Sequence, residues 1–310
     1  ITLLQKENGG KHTALNLGIQ KTESEIVGCL DSDSEVDPYA LHYIIAEFLM
    51  HPHAEAVTPA MRIQNPQTIL ERIQSAEYML GIFMRRVFSF INAQFVTPGP
   101  FSLFRRSTYD RLGGYRKAHN TEDLEYALRI QKHQGFIANA PQAIVYTPGK
   151  RTFRSLFAQR VRWVYGFLKN VIEYRTMFFN RSYGDFGFFI LPNAVLAIIA
   201  AITLGLYTFS TLLSSFISKT QEYYYAGFSF SFTPDWFFFN TSALFFIVIV
   251  VLALTAFLIF IASGLIRHHA EPLNIILYFL LYGLIAPIWL GKALTDTILS
   301  REGVWQAERK

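Results

Sequence analysis

Three short clusters in this 310-residue chain combine acidic, basic and aromatic residues at spacings suited to binding or catalysis. Two are acidic, Asp31-Ser32-Asp33 and Thr121-Glu122-Asp123, and the third is the basic and aromatic run Gln159-Arg160-Val161-Arg162-Trp163. Carboxylates can hold hard cations or take up protons, and arginine offers paired donors to phosphate. We expect the three clusters to form one active site.

The first acidic cluster follows the apolar run Ile26–Leu30, which predicts a buried strand. In an extended segment, residues two apart point the same way, so Asp31 and Asp33 could together hold Mg²⁺ or Mn²⁺. These ions prefer oxygen ligands and usually keep substrate phosphates in their coordination shell. A solvated acidic turn is the alternative, because further polar and acidic residues follow.

The second acidic cluster lies at a predicted helix start. Thr121 is a good N-cap, and Glu122 and Asp123 would complement the helix dipole in the first turn. That capping role alone would account for both acids. The alternative is that one carboxylate at this helix N-terminus acts as a general base.

The third cluster lies on a predicted helix that extends from Phe153 to Tyr174. Gln159, Arg162 and Trp163 are spaced i, i+3 and i+4, so they share one face, whereas Arg160 points elsewhere. Tryptophan can stack on a sugar ring beside the arginine. Both residue types are also common at lipid headgroups, so an interfacial anchor is the alternative.

Alternating strand and helix patterns around these clusters predict an α/β domain. Such sheets bind ligands beyond the carboxyl ends of their strands. The predicted strands are Ile1–Leu4, Ile26–Leu30, Ala56–Met61, Gly135–Ala138 and Ala143–Tyr146, and the predicted helices are Thr13–Ile19, Pro38–Met50 and Thr68–Phe95. Gly99, between two prolines, predicts either a rigid turn that another chain can approach closely or an ordinary hairpin.

Two long uncharged stretches follow the α/β pattern and raise the hydrophobic content to 51%. One lies between Asp185 and Lys219 and the other between Asp235 and Arg267. Each exceeds the roughly 20 residues that cross a bilayer. They predict membrane spans at about 187–217 and 237–266.

A third apolar run, 273–291, contains Pro287. It could be a third span, but we expect a re-entrant or interfacial helix that bends near the proline. The chain is therefore divided into a partial catalytic domain (1–152), an interfacial helix region (153–185) and a transmembrane region with a C-terminal tail (186–310).

The charge pattern predicts on which side of the membrane the α/β domain lies. The net charge is +5, and the six basic and six acidic residues after Asp185 cancel, so the excess belongs to the first part. Basic residues concentrated in 150–181, beside the first span, are typical of a cytoplasmic side. The single Cys29 excludes an internal disulfide and a multi-cysteine zinc site. We expect a multi-pass protein of the cell membrane with its catalytic domain in the cytoplasm.

Taken in order, the segment ENGGKHTALN, the DSD and TED clusters and the run QRVRW resemble the membrane-embedded inverting glycosyltransferases of family two. This family includes the synthases of cellulose, chitin, hyaluronan and poly-N-acetylglucosamine. The resemblance covers roughly residues 1–175 by motif and the remainder by architecture. It implies a GT-A-like, Rossmann-related catalytic domain followed by transmembrane and interfacial helices.

The resemblance also implies roles for individual residues. Asp31 and Asp33 match the pair that binds Mg²⁺ or Mn²⁺, and Asp123 matches the general base. The tail 304–310 resembles a gating segment that closes over the nucleotide. The residues implied in substrate binding are Lys11, Gly99, Glu122, Gln159, Arg160, Arg162, Trp163, Trp305 and Arg309.

The implied reaction transfers a sugar from a UDP-sugar, with inversion, to a growing polysaccharide. A single-transfer glycolipid synthase and a non-catalytic membrane subunit of the same fold are the alternatives. The expected partners are the UDP-sugar, a carbohydrate or lipid-linked acceptor and the bilayer, with no nucleic acid. The family carries an earlier nucleotide-binding half that does not precede Ile1, so we expect a chain that is N-terminally incomplete and binds donor poorly alone.

Overall fold

A computed structural model describes residues 2–227, 243–268 and 270–301 of the chain. One mixed sheet lies among helices, and three long apolar helices follow it. The strands are β1 (Ile26–Gly28), β2 (Glu35–Val36), β3 (Ala54–Ile63), β4 (Leu103–Arg105) and β5 (Phe136–Thr147). The helices are α1 (Lys11–Gln20), α2 (Ala40–Met50), α3 (Ile69–Phe90), α4 (Arg106–Leu112), α5 (Glu122–Lys132), α6 (Phe153–Glu173), α7 (Leu191–Ala226), α8 (Ala243–Leu265) and α9 (Pro272–Ile298).

The sheet has the order β1-β4-β3-β5-β2, with β3 and β5 parallel and the other pairs antiparallel. This confirms the predicted α/β class. Residues 136–147 form one strand rather than the two predicted, because a register shift at Pro59/Ala60 lets β5 continue beside β3. The acidic cluster Asp31–Asp33 follows β1, and α5 leads into β5, so both acidic clusters are placed by this sheet.

The predicted strand Ile1–Leu4 is wrong over its described part, since residues 2–10 have no regular structure. Leu3 is 82% exposed, so the segment has no sheet edge on which to bury its apolar side chains. The expected strand-helix-strand unit is therefore absent from the described start of the chain. Instead, β1 pairs antiparallel with β4, and Val27 lies opposite Phe104.

Helix α3 connects the sheet to the apolar helices. It starts with a capping box in which Thr68 and Glu71 exchange side-chain and backbone hydrogen bonds. Ile82 and Met79 are buried against Ile259 of α8, so α3 is a core helix. It ends at Phe90, earlier than predicted.

The three C-terminal helices α7, α8 and α9 are each long and apolar enough to cross a membrane. Helix α7 continues to Ala226, beyond the predicted limit, where a Lys219–Glu222 ion pair joins successive turns. Helix α8 falls within the second predicted span, whose first residues lie outside the described part. A side chain at Gly205 of α7 would overlap Pro287 of α9, so this glycine admits close packing of the two helices.

Helix α9 is one continuous helix that includes Pro287. It does not stand alone: Trp289 is buried with Leu156 of α6, and Tyr282 packs against the same cluster. Whether α9 spans the bilayer or lies at its interface stays a prediction. The implied gating residues Trp305 and Arg309 lie outside the described residues.

Candidate active site

The predicted base, Asp123, lies in the first turn of α5. Its Oδ1 accepts a hydrogen bond from the Leu124 backbone N–H at 2.8 Å, and its backbone carbonyl accepts one from the Thr97 hydroxyl at 2.7 Å. Burial, followed by the neighbouring charge of Glu122, raises the pKa of Asp123, and the charges of Lys11 and Arg162 only partly oppose this. A half-buried carboxyl with a raised pKa is a stronger base than an ordinary surface aspartate.

The segment before Asp123 has an uncommon backbone. Ala118, His119 and Asn120 have φ values of 44°, 55° and 62°, in the left-handed region that non-glycine residues rarely adopt. Thr121, the next residue, donates its hydroxyl to the Ala118 carbonyl at 2.9 Å. This turn aims the start of α5 into the pocket, and such strain persists only where the surroundings hold it.

A small pocket joins residues from distant parts of the sequence. Lys11, Cys29, Gly99, Glu122 and Asp123 all contribute to its wall. The Lys11 Nζ lies 2.6 Å from Asp31 Oδ1 and 3.9 Å from Glu122 Oε1. Burial acts to lower the pKa of Lys11, but the attraction of Asp31 outweighs it and the pKa is raised. The structure thus brings both acidic clusters to one lysine.

Gly99 forms the wall opposite this lysine. A Cβ at Gly99 would lie 2.9 Å from Lys11 Nζ, so a side chain here would displace the lysine from Asp31. Cys29 donates its Sγ–H to the Gly99 carbonyl at 2.8 Å, and the Phe101 N–H donates to the Cys29 carbonyl at 2.7 Å. Burial raises the pKa of Cys29 to about 12, so this thiol fixes the loop and is not a nucleophile.

The Asp31–Asp33 cluster is a turn, so the expectation of an extended segment is wrong. The Ser34 N–H donates to the Asp31 carbonyl at 3.0 Å, which closes the turn. Asp31 is half-buried and Asp33 is exposed. Among the described residues no group of three or more His, Cys, Asp or Glu side chains forms a metal cage. Two carboxylates still fit Mg²⁺ or Mn²⁺ when phosphates and water supply the other ligands.

The third cluster lies on α6, and none of its residues belongs to the wall of the pocket. The charge of Arg162 is nevertheless near enough to favour the ionised form of Asp123 and so to oppose the rise in its pKa. Gln159 and Trp163, on the same face of the helix, are half-buried.

Arg160 points away from that face, as its spacing predicts. Its side chain is 5% exposed, and its Nη2 donates to Glu77 Oε2 of α3 at 2.6 Å. The substrate-binding role that the family resemblance gives to Arg160 stays a prediction, and the structure places this side chain in a different contact.

Two residues that the motifs do not include hold α6 against α5. A side chain at Gly166 would overlap Thr121, so only glycine allows this crossing. Asn170 is fully buried and donates its Nδ2 to the Thr121 Oγ1 at 2.9 Å and to the Gly166 carbonyl at 2.8 Å. Both continue the helical face of Gln159 and Trp163, and that periodicity is the signal that could have found them.

A family model described as glycosyl transferase family group 2 matches residues 26–290. The chain belongs to this family. The match includes most of the pocket wall, although not Lys11, and most of the three apolar helices, so the family assignment rests on both halves of the molecule.

Within this family, the chain is similar in sequence to poly-β-1,6-N-acetyl-D-glucosamine synthases from two staphylococci. Identity is 35% over 161 residues with the Staphylococcus epidermidis enzyme, which is 51% of this chain and 39% of the relative. For the Staphylococcus aureus (strain COL) enzyme it is 34% over 163 residues, 52% of this chain and again 39% of the relative. The matched segment thus spans well under half the length of these curated relatives.

A solved structure supports the fold. A mannosyltransferase from Pyrobaculum calidifontis, in complex with GDP-Man and Mn²⁺, superposes with a TM-score of 0.53 and covers 97% of this chain and 70% of its own. The two sequences are 17% identical, so the likeness concerns the fold alone. It confirms the predicted GT-A-like class.

Proposed function

We propose that this chain belongs to a membrane glycosyltransferase that transfers a sugar from a UDP-sugar, with inversion, to a growing polysaccharide. One observation carries the proposal: a single pocket joins Asp123, a carboxyl with a raised pKa, to the Lys11–Asp31 pair. A base and a charged group for a phosphate leaving group are the two parts that such a transfer needs.

Asp123 is the general base in this proposal. It takes the proton of the acceptor hydroxyl while that oxygen attacks the anomeric carbon of the donor sugar. Displacement from the face opposite the leaving group inverts the configuration in one step, so a nucleophile on the protein is unnecessary. The high pKa of Cys29, the only cysteine, agrees with that.

Lys11, Asp31, Asp33 and Arg162 act on the diphosphate. Lys11 and Arg162 neutralise charge that develops on the leaving group. Asp31 and Asp33 would hold Mg²⁺ or Mn²⁺, which supplies further charge neutralisation for the diphosphate when it is bound. The ion pair of Lys11 with Asp31 keeps both side chains at the pocket before the donor enters.

Trp163, Gln159 and Gly99 belong to the acceptor side. The indole offers a flat face to a sugar ring, and Gln159 offers an amide to its hydroxyls. Gly99 leaves room at the pocket wall. Glu122 stays close to Lys11 and raises the pKa of Asp123 by its charge.

The apolar helices support a membrane location with the catalytic domain on the cytoplasmic side. The basic segment 150–181 adjoins the first of these helices.

The names of the staphylococcal relatives favour N-acetylglucosamine as the transferred sugar and a polymer as the product. A glycolipid product is the alternative outcome of the test below.

The test uses the full-length protein in membranes, incubated with one UDP-sugar at a time, and measures the size of the labelled product. We expect a polymer from UDP-N-acetylglucosamine in the presence of Mg²⁺ or Mn²⁺. Asp123→Asn should lower transfer by about 10²–10⁴-fold, while UDP binding is kept. Asp110→Asn, an exposed aspartate of α4, is the matched control and should retain full activity.

Other results would contradict parts of the proposal. A single-sugar lipid product would replace the polymer by a glycolipid. Turnover retained in Asp123→Asn would remove Asp123 as the base. Absence of turnover with every UDP-sugar would favour a non-catalytic membrane subunit.

A further inference from the structure

Three helices meet at the carboxylate of Glu77, which lies outside all three chemical clusters. Its Oε2 accepts a hydrogen bond from Arg160 Nη2 of α6 at 2.6 Å. Its Oε1 accepts one from the Tyr282 hydroxyl of α9 at 3.0 Å. Each oxygen of one side chain of α3 is therefore bound by a different helix.

The Arg160 guanidinium depends on this carboxylate. The arginine side chain is 5% exposed, whereas that of Glu77 is 24% exposed. A buried cation without its partner is costly, so the pair restricts where Arg160 can lie. The Tyr282 hydrogen bond restricts Glu77 in turn.

The position of Arg160 in turn limits the orientation of Trp163, because the two side chains are in contact. The guanidinium carbon lies 4.5 Å from the centroid of the Trp163 ring, a cation–π contact that covers one face of the indole. Glu77 holds one nitrogen of this guanidinium, and Tyr78, the next residue of α3, also hydrogen-bonds to it. Thus the orientation of Trp163 follows from a carboxylate on another helix.

We propose that Glu77 is a positioning residue for the acceptor site: through Arg160 it holds Trp163 in its binding orientation, and through Tyr282 it couples that orientation to α9. The effect on transfer rests on the proposed function, in which Trp163 contacts the acceptor sugar. The effect on Trp163 itself does not rest on it.

This role differs from direct binding of the diphosphate by Arg160. If Arg160 bound the diphosphate, changes at position 77 would act on the donor. If it positions Trp163, they act on the acceptor. Separate Michaelis constants for the two substrates distinguish the two roles.

The kinetic experiment uses the full-length protein with UDP-N-acetylglucosamine as donor and a short β-1,6-linked N-acetylglucosamine oligosaccharide as acceptor. Glu77→Gln should raise the acceptor KM by about tenfold and leave the donor KM within about twofold. Tyr282→Phe, which removes only the hydrogen bond from α9, should raise the acceptor KM by a smaller factor. Tyr278→Phe, one turn earlier on α9, is the matched control and should change neither constant.

A second readout does not need activity. The protein is labelled with 5-fluorotryptophan, and the ¹⁹F resonance of Trp163 is assigned by its loss in Trp163→Phe. Glu77→Gln and Tyr282→Phe should shift this resonance, and Tyr278→Phe should not. Tyr282→Phe decides the matter if Glu77→Gln does not fold, because it leaves the ion pair in place.

Two results would overturn the proposal: an unmoved Trp163 resonance in the folded Glu77 and Tyr282 variants, or a rise in the donor KM in place of the acceptor KM. If the unmodified protein transfers no sugar to the acceptor, the proposed function fails. The resonance then still decides whether Glu77 positions Trp163.

Discussion

Two ion pairs in this molecule have the same length and different surroundings. Lys11–Asp31 and Arg160–Glu77 each join nitrogen and oxygen at 2.6 Å. The side chains of the first are 43% and 34% exposed, and those of the second are 5% and 24% exposed. Distance alone therefore says little about what each pair does.

Burial decides which pair a ligand can exchange. A solvent-exposed pair contributes only about 0–1 kcal/mol, so a diphosphate can replace one partner at little cost. A buried pair cannot open without leaving a charge in an apolar setting. The pocket pair is thus suited to binding, and the α3–α6 pair to holding structure.

The largest loss of stability should come from replacing Glu77, the more exposed partner of the buried pair. Glu77→Met leaves Arg160 buried without its partner and should lower the free energy of unfolding by about 3–5 kcal/mol. Arg160→Met should cost less, because Glu77 is partly exposed and can reach water. Denaturant unfolding of the full-length protein in detergent measures both. A smaller loss for Glu77→Met than for Arg160→Met would refute this asymmetry.

A smaller loss is expected at the crossing of α6 and α5. Gly166→Ala places a methyl group on Thr121 and should cost about 1–3 kcal/mol. The second change Thr121→Ala should recover part of that loss, because it removes the overlapping atoms. Gly18→Ala of α1 is the control: its added methyl group meets no atom within 4 Å, and alanine favours the helix. If both glycine variants behave alike, the crossing is not tight.

The next effect is the pH dependence of stability that Asp123 causes. The fold raises the pKa of Asp123, so its acid form is favoured and its charged form costs stability. As pH rises from the ordinary aspartate value of about 3.9 to the raised value, the wild type should lose stability relative to Asp123→Asn by about 1.4 kcal/mol for each pH unit between the two. Melting temperatures of both proteins across that range test this. A difference that shrinks with rising pH would mean that the pKa is lowered.

The smallest effect should come from the exposed pair. Lys11→Met should change the free energy of unfolding by less than about 1 kcal/mol, while it weakens UDP binding. Added salt should reduce this stability difference further, because exposed charges are screened. Unfolding and UDP titration of the same samples check both parts. A stability loss equal to that of Glu77→Met would remove the distinction between the two pairs.

The sequence predicts those helices and strands that have a clear apolar pattern within their own residues. Helices α3 and α6 carry apolar periodicity over many residues, and Ala54–Ile63 is a long buried strand, so all three were found. The short strand β4 pairs with β1 and β3, so its existence depends on residues far away in sequence. Strand formation at Ile1–Leu4 also depends on a distant partner. Its apolar residues predicted a strand, but the described residues of this segment pair with no other strand.

The candidate site divides in a similar way. Residue types and spacing indicated Asp123, Asp31 and Arg162, and helical periodicity alone placed Arg160 on another face. Glu77 could not be found, because one of several charged residues of α3 reveals no partner until α3, α6 and α9 are packed together.

The docking of α9 has a consequence for anyone who wishes to express the catalytic part alone. A protein cut after Asp185 would lose Tyr282 and Trp289 from the surfaces of α3 and α6. Leu156 would become exposed, and Glu77 would keep only Arg160. A shortened version should therefore aggregate or lose the Trp163 geometry, and a useful soluble design must supply a substitute for the face of α9.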